Sequence, residues 1–375
     1  MAAALTVTFR RCGRCILIGA LIMLLISSTD RHHVQAQAVD ADSYDVFITR
    51  SAATTAPDTI YFVSVRSGLS TPITLTGKDY RLLGDGVAYQ DRTSGQLQIA
   101  RPDGQNGPLG FIDESAGSAL AWAVSSDQHW IVWTLAHTSA GSVLSDMYIA
   151  QADGSGKLLA LHTSAAVGSS NSGLYPIAIS NDGAAVIFAR QSVAVSDSDR
   201  YAAATDVYRL DLSIGQFTHL LGEPRCLCGV TFSADERTVL RLDVDSSKHA
   251  VTAHFVDTLV NTEQLVNPFP TVLNWQPAQA GDALLTDKGT LAVYTVANGA
   301  FSDKRTQYAL ILVDMLQRQQ RIIIPPRPDR LRPVAFTRGG VILVGADKGG
   351  SYRLTFTDGT LTPIASSAYL GTLNG

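Results

Sequence analysis

Three aspartates stand where one strand would turn into the next: Asp127 in Ser125-Ser-Asp127, Asp182 in Ser180-Asn-Asp182-Gly183 and Asp235 in Ser233-Ala-Asp235. Such residues can hold calcium, but calcium takes six to eight oxygens, usually several from one loop. None of these turns has a second carboxylate at a suitable offset apart from the adjacent Glu236. The local reading is preferred: each aspartate accepts N–H bonds of its own turn. The loop Ser196-Asp197-Ser198-Asp199-Arg200 reads as a solvated insertion, with ion binding as the alternative. Cys226-Leu-Cys228 is half of a zinc pattern and lacks a second Cys or His pair. His129, His137, His162, His219, His249 and His254 show no H-x-H or H-x-x-x-H spacing. Residues i and i+2 of a strand lie about 6.5–7 Å apart, too far for an ordinary disulfide. The two cysteines therefore read as small buried residues of a strand, with a strained disulfide across a bulge as the alternative.

Nucleophilic and phosphate chemistry find little footing. No G-x-S-x-G occurs, and Gly168-Ser-Ser-Asn-Ser-Gly173 has the wrong spacing. Ser125-Ser-Asp127-Gln-His-Trp130 comes nearest to a Ser-x-Asp-x-Gly-x-x-Trp box, without its glycine and with Trp133 one step off. Gly154-Ser-Gly-Lys157 is only the tail of a phosphate-loop string and sits between two strands. Trp122, Trp130, Trp133 and Trp275 fall on predicted inner strands and read as core. No residue is thus assigned a catalytic, cofactor-binding or metal-binding role, and no cofactor is expected.

The elements that carry these residues repeat. Tyr175-Pro-Ile-Ala-Ile-Ser180-Asn-Asp182-Gly183-Ala-Ala-Val-Ile-Phe188 predicts strand, tight turn, strand. Asp206–Leu212 and Gln216–Leu221 add a third and a fourth strand, turning at Ser213-Ile214-Gly215. The same unit recurs from Trp122 to Leu161 and, downstream, from Val230 to Val256; its Ser-x-Asp turns are 55 and 53 residues apart. Weaker copies run from Val272 to Ile324, with Val272-Leu-Asn-Trp-Gln-Pro277 opening the unit, and from Val334 to Ile364. Ahead of the clear repeats come Tyr80–Leu83, Val87–Tyr89, Leu97–Ala100 and Leu109–Ile112. The first unit has only three candidates, Val46–Ile48, Ile60–Val65 and Pro72–Leu75, while Ala368-Tyr-Leu-Gly-Thr372 is spare at the other end. No amphipathic helix of three turns follows residue 38.

Seven units in 337 residues average about 48 each, the pattern of a β-propeller with four antiparallel strands per blade. Six or eight blades are the alternatives. A solenoid does not fit the period, and two sandwiches leave it unexplained. The ring is expected to close with strands from both termini in one blade, which removes open edges. In that closing strand Ala368, Leu370 and Thr372 should face one way, Tyr369 and Gly371 the other.

The chain has 375 residues, 46% apolar and 17% charged, with 31 Gly and 14 Pro, a balance suited to short strands and turns. Its net charge of −4 excludes a basic field for nucleic acid. Residues 1–38 read as a signal peptide: Arg10, Arg11 and Arg14, the apolar run Cys15–Ile26, then Ala36-Gln37-Ala38 or Val34-Gln35-Ala36 as cleavage site. An uncleaved N-terminal anchor is the alternative, because Asp30, Arg31, His32 and His33 lengthen the exit region. Residues 39–375 are then one propeller domain with 25 basic and 32 acidic groups, net −7, and only Cys226 and Cys228 of the four cysteines.

The units resemble the TolB-type propeller repeat, a relative of the WD repeats. The resemblance rests on Ser180-Asn-Asp182-Gly183 with Asp206-Val-Tyr208, on Ser125-Ser-Asp127 with Asp146-Met-Tyr148, on Ser233-Ala-Asp235, and on Trp275-Gln-Pro277 as a decayed copy. It covers roughly residues 44–372 and implies a binding or scaffolding module outside the cytoplasm, with no catalytic residue carried over. Related propellers gate hydrolase domains, for which this chain leaves no room. The expectation is a secreted or extracytoplasmic, non-enzymatic monomer that binds a protein or envelope component. A channel enzyme of hydrolase or lyase type, or a carbohydrate or small-ligand binder, is the alternative.

Overall fold

The computed structural model describes residues 42–375 apart from 54, 114–118, 167–172, 193–200, 202–203, 222–229, 246–249, 267–274, 346–348 and 374–375. Blade one begins with β1 (Tyr44–Thr49), β2 (Asp58–Ser64) and β3 (Ser70–Leu75). Blade two is β4 (Gly77–Leu83), β5 (Gly86–Asp91), β6 (Leu97–Ala100) and β7 (Asn106–Pro108). Blade three is β8 (Ala119–Val124), β9 (Trp130–Ser139), β10 (Ser142–Gln151) and β11 (Leu158–Ala166). Blade four is β12 (Tyr175–Ile179), β13 (Ala185–Ser192), β14 (Ala204–Asp211) and β15 (Gln216–Leu221). Blade five is β16 (Val230–Phe232), β17 (Thr238–Asp245), β18 (Ala250–Asp257) and β19 (Glu263–Val266). Blade six is β20 (Gln279–Leu285), β21 (Leu291–Ala297), β22 (Tyr308–Asp314) and β23 (Gln319–Arg327). Blade seven is β24 (Leu331–Thr337), β25 (Gly340–Gly345), β26 (Ser351–Thr355) and β27 (Leu361–Ala365). The last strand, β28 (Ala368–Leu373), pairs with β1 and completes blade one. The chain is a seven-bladed β-propeller, as the period implies, and both termini close it.

Blade six is buried on both faces by its neighbours, so its middle strands are apolar runs, whereas middle strands such as β2 and β18 alternate between buried and partly exposed residues. Ala292–Ala297 of β21 and Tyr308–Val313 of β22 are all buried. The core lies between blades: Leu240, Leu242 and Phe255 of blade five pack on Tyr294, Val296 and Ile311 of blade six. The Asp-x-Tyr repeats position aromatic partners across the ladder. Tyr148 stands opposite Trp133, and Tyr208 opposite Phe188, with stacked rings 5.6 and 5.7 Å apart. Such cross-strand pairs add to stability beyond their buried area.

Several sequence expectations shift in detail. Leu109-Gly-Phe-Ile112 lies past β7, and Phe111 instead packs on Trp133 of blade three. The first strand of blade six begins at Gln279 among the described residues, the expected opening at Val272 lying outside them, and the turn after it is Thr286-Asp287-Lys288-Gly289. The Thr286 hydroxyl there accepts the N–H bonds that a serine accepts in the other blades. Trp275-Gln-Pro277 is therefore no copy of the turn; Trp275 precedes β20 and fills the core between blades five and six. In β28 the strict alternation breaks. A register shift lets Phe47 face Tyr369 and Val46 face Gly371, so Leu370 is the bulged residue. Gly371 has φ +142°, a conformation that favours glycine, and lies against the tip of Leu82 on blade two, where a Cβ would meet Leu82 Cδ1 at 2.6 Å.

Candidate functional site

The first strands of the blades contact one another around the axis, in pairs β28–β4, β4–β8, β8–β12, β16–β20, β20–β24 and β24–β28. They line a central channel, and its two ends differ.

At one end sit the turns from first to second strand. Asp127, Asp182 and Asp235 each accept a local N–H, from His129, Ala184 and Arg237 at 2.9–3.2 Å, and each is bonded by the serine two residues before it. That is the local-turn reading of these residues. The turns also meet: Gln128 donates to Thr372 O at 2.8 Å, Asp127 N to Asn181 Oδ1 at 3.2 Å, and Asp235 N to Asp287 O at 3.4 Å. Glu236 lies buried among them with Oε2 unpartnered. Burial first, then Asp182, Asp235 and Asp127, push its carboxyl up to about 9, against the pull of Arg209. Among the described residues no three His, Cys, Asp or Glu side chains are arranged to hold a metal ion.

The other end is open and cationic. Arg50 and Arg332 line a cavity of about 430 Å³ between blades one and seven, together with Ser51, Ser366 and Ser367. Arg332 Nε is shielded from water and has no hydrogen-bond partner. Asp282, on the neighbouring blade, is held by Arg330 in a two-pronged contact of 2.8 and 3.1 Å. Phe301 and Tyr201 cover that arginine at 4.1 and 5.0 Å. Burial pulls the Arg332 guanidinium below its ordinary value; Asp282 opposes this, and Arg330 and Arg50 add to it. Arg50 forms no ion pair among the described residues and rests over the Tyr80 ring at 5.9 Å.

The wall beneath Arg50 is rigid. Asp58 is fully buried and accepts from Ser51 N (2.8 Å), Tyr80 Oη (2.6 Å) and Arg92 (2.8 Å). Burial first, and then Asp58, raise the Tyr80 hydroxyl well above its ordinary value, so it stays a donor. This network ties the loop that carries Arg50 and Ser51 to β4. Lys78, Asp79 and Arg81 of β4 are exposed. Arg81 lies over the Trp122 ring of blade three at 5.0 Å.

The residues singled out from sequence do not converge. His129, His162 and His219 face aspartates on blades three and four at 3.3, 2.5 and 3.1 Å. His254 bridges Asp243 and Glu263 on blade five. Lys157 donates to Phe111 O and lies over Trp133 and Tyr148, away from any phosphate role. Trp122, Trp130 and Trp133 pack between blades as expected. Cys226, Cys228, His249, residues 196–200, positions 168–172 and the N-terminal segment 1–38 lie outside the described residues. The arginine cavity escaped the sequence reading, since no local pattern links Arg50 to Arg332.

No family model matches the chain, and no curated protein matches it. Its fold is similar to an oligogalacturonate lyase in complex with manganese, at 11% identity and a TM-score of 0.55, over 86% of this chain and 91% of that one. The oligogalacturonate lyase of Vibrio parahaemolyticus matches at 9% identity and 0.52, over 85% and 90%. TolB from Acinetobacter baumannii matches at 12% identity and 0.39, over 88% and 82%. These identities speak to the fold alone. The expectation of a non-enzyme is corrected on this point: the same propeller architecture, spanning a chain of similar length, is also that of oligogalacturonate lyases, so full use of the chain by blades gives no ground for calling it a non-enzyme. The absence of a contiguous catalytic motif was no argument against activity: a channel site draws one residue from each of several blades. The manganese of that lyase has no fitting ligand set among the described residues here.

Proposed function

We propose that this propeller is an enzyme acting on a carboxylate-bearing saccharide at the open mouth of its channel, by elimination beside the carboxylate. The observation that carries this reading is the pair Arg50 and Arg332 in one cavity, neither engaged in a hydrogen bond or ion pair among the described residues, with the nearby Asp282 held by Arg330. Arginine forks match planar carboxylates, and an unpaired guanidinium in a half-buried site favours an anion. Ser51, Ser366 and Ser367 supply hydroxyls for a polyhydroxylated ring. Removing a proton from the carbon beside a carboxylate builds a second negative charge, which fixed cations stabilise as it develops. The similarity of fold to lyases supports trying elimination first. Export across a membrane is part of the proposal, from the basic start and apolar run of residues 1–38.

The test incubates the exported chain with galacturonate oligomers and, as control, neutral galactose oligomers. Calorimetry reads binding, and the ultraviolet absorbance of the unsaturated sugar reads elimination. Binding of the acidic series alone with growth of absorbance is expected. Equal or absent binding of both series overturns the reading.

A further inference from the structure

Blades four, five and six turn from third to fourth strand at the end of the channel that carries Asp127, Asp182 and Asp235, opposite the arginine cavity. Backbone bonds fix this placement. The residue that opens each turn donates to the inner turn of its own blade: Leu212 N to Ala184 O, Thr258 N to Arg237 O and Met315 N to Thr290 O, at 2.9–3.0 Å. An aspartate shapes each turn by accepting from it: Asp211 from Ser213 N, Asp257 from Leu259 N and Val260 N, Asp314 from Gln317 N, at 2.9–3.2 Å. Gly215, Asn261 and Arg318, all at positive φ, close the turns. The tip side chains have no part in this, yet they include Ile214, Leu259, Val260 and Leu316, 56–76% exposed. The same two tip positions hold Arg66 and Ser67 in blade one, Thr93 and Ser94 in blade two, and Thr357 and Asp358 in blade seven. Val65 and Leu69 stand at the feet of the blade-one turn, not on its tip. Phe217 and Leu265, on the outermost strands just past the tips, are half exposed as well. Apolar side chains presented on rigid turns of three adjacent blades mark a docking face, and their rigidity lowers the cost of ordering on binding.

Inside this arc the surface is acidic. Asp127, Asp235, Asp287 and Lys288 line a cavity of about 450 Å³ with Ser126 and Asn181, so three carboxylates face one ammonium. Asp182, next to Asn181, is exposed too. That charge selects the occupant. A second copy docked by the same face would bring two acidic mouths together, and a bilayer would set lipid phosphates against the carboxylates; like charges brought together cost affinity. We propose that this face docks a polypeptide partner that places a Lys or Arg in the acidic mouth and aliphatic or aromatic side chains on the tips of blades four to six. The mouth supplies charge complementarity and a faster encounter, and the tips supply apolar area to bury. The site does not depend on the elimination reading, which concerns the other end of the channel.

Displayed random peptides selected on the full chain test this. Enriched sequences should combine Lys or Arg with Leu, Ile, Val or Phe, and the synthetic peptides should bind more weakly in calorimetry as salt rises from about 0.05 to 0.5 M. Two variants locate the binding. One carries Leu259→Ser, Val260→Ser and Leu316→Ser together; the other is Asp287→Lys, which reverses an exposed charge. Each should weaken the peptides about 10-fold or more, while its melting temperature and its behaviour toward acidic oligomers stay as in the parent. A selection without enrichment, enriched peptides that lack a cation, or peptides that hold both variants as tightly as the parent overturn the proposal. Sedimentation of the parent with phosphatidylcholine vesicles, or its dimerisation, lost in the triple variant, would make the tips a membrane or self-association surface and overturn it as well.

Discussion

At the scale of single residues, the propeller holds two groups whose charge is out of balance with their surroundings. Arg332 is shielded at Nε, makes no hydrogen bond or ion pair among the described residues, and is attracted by Asp282 while Arg330 and Arg50 repel it. Replacing it with alanine should leave the melting temperature unchanged or higher, since no hydrogen bond is lost. The same change should weaken binding of an acidic oligomer about 10- to 100-fold, the worth of a charged hydrogen bond. Calorimetry beside thermal melting checks both halves, and a variant that melts lower with unchanged affinity would make Arg332 structural. Glu236 is the other group. Its carboxyl, pushed up to about 9 by burial and three aspartates, keeps its proton in the folded chain where the unfolded chain, near 4.5, gives it up. Between those values the folded state binds more protons, so stability from this group is full below about 4.5 and falls as pH rises toward 9. Melts of the parent from pH 5 to 9 should slope downward, and Glu236→Gln should flatten that slope. Parallel slopes would mean that Glu236 ionises freely. The aspartates of the turns were legible from sequence because their partners lie two residues away. Arg50 and Arg332 were not, because 282 residues separate them and each resembles an ordinary surface arginine.

At the scale of elements, β28 decides whether the ring is closed. It gives β1 its inner partner from Tyr44↔Leu373 to Ile48↔Ala368 and buries Tyr369 and Leu373. Deleting residues 367–375 would bare the edge of β1 and empty part of the core between blades one and two. A marked fall in melting temperature with more aggregation is expected, whereas trimming to residue 43 should do little. Identical melting of parent and deletion would make β28 dispensable. Its existence was readable as a spare apolar stretch, but its bulge was not. The register shift falls beside Gly371, whose φ of +142° favours glycine and which lies against Leu82 on blade two, a neighbour 289 positions away that no local pattern shows. Blade six shows a related limit. Thr286 replaces serine in its turn, and the hydroxyl does the same work while the letter pattern is lost.

For the whole molecule, the termini of the propeller meet: Tyr44 and Leu373 are register partners. A short hairpin linker should join them, and the ring should tolerate new ends in the connection between β19 and β20. Such a permutant is expected to fold and to melt in one transition within a few degrees of the parent, read by far-ultraviolet circular dichroism. Failure to fold would show that the order in which the blades form matters more than the closed ring. The sequence by itself determined the architecture, because a blade is local. Its four strands, turns and cross-strand aromatics fall within about 48 residues, so the pattern repeats where it can be read. The site is not local. Only closure of the ring sets Arg50 of blade one beside Arg332 of blade seven. Packing between blades needs apolar residues at a period and leaves a trace along the chain. A channel mouth needs one residue from each of several blades and leaves none.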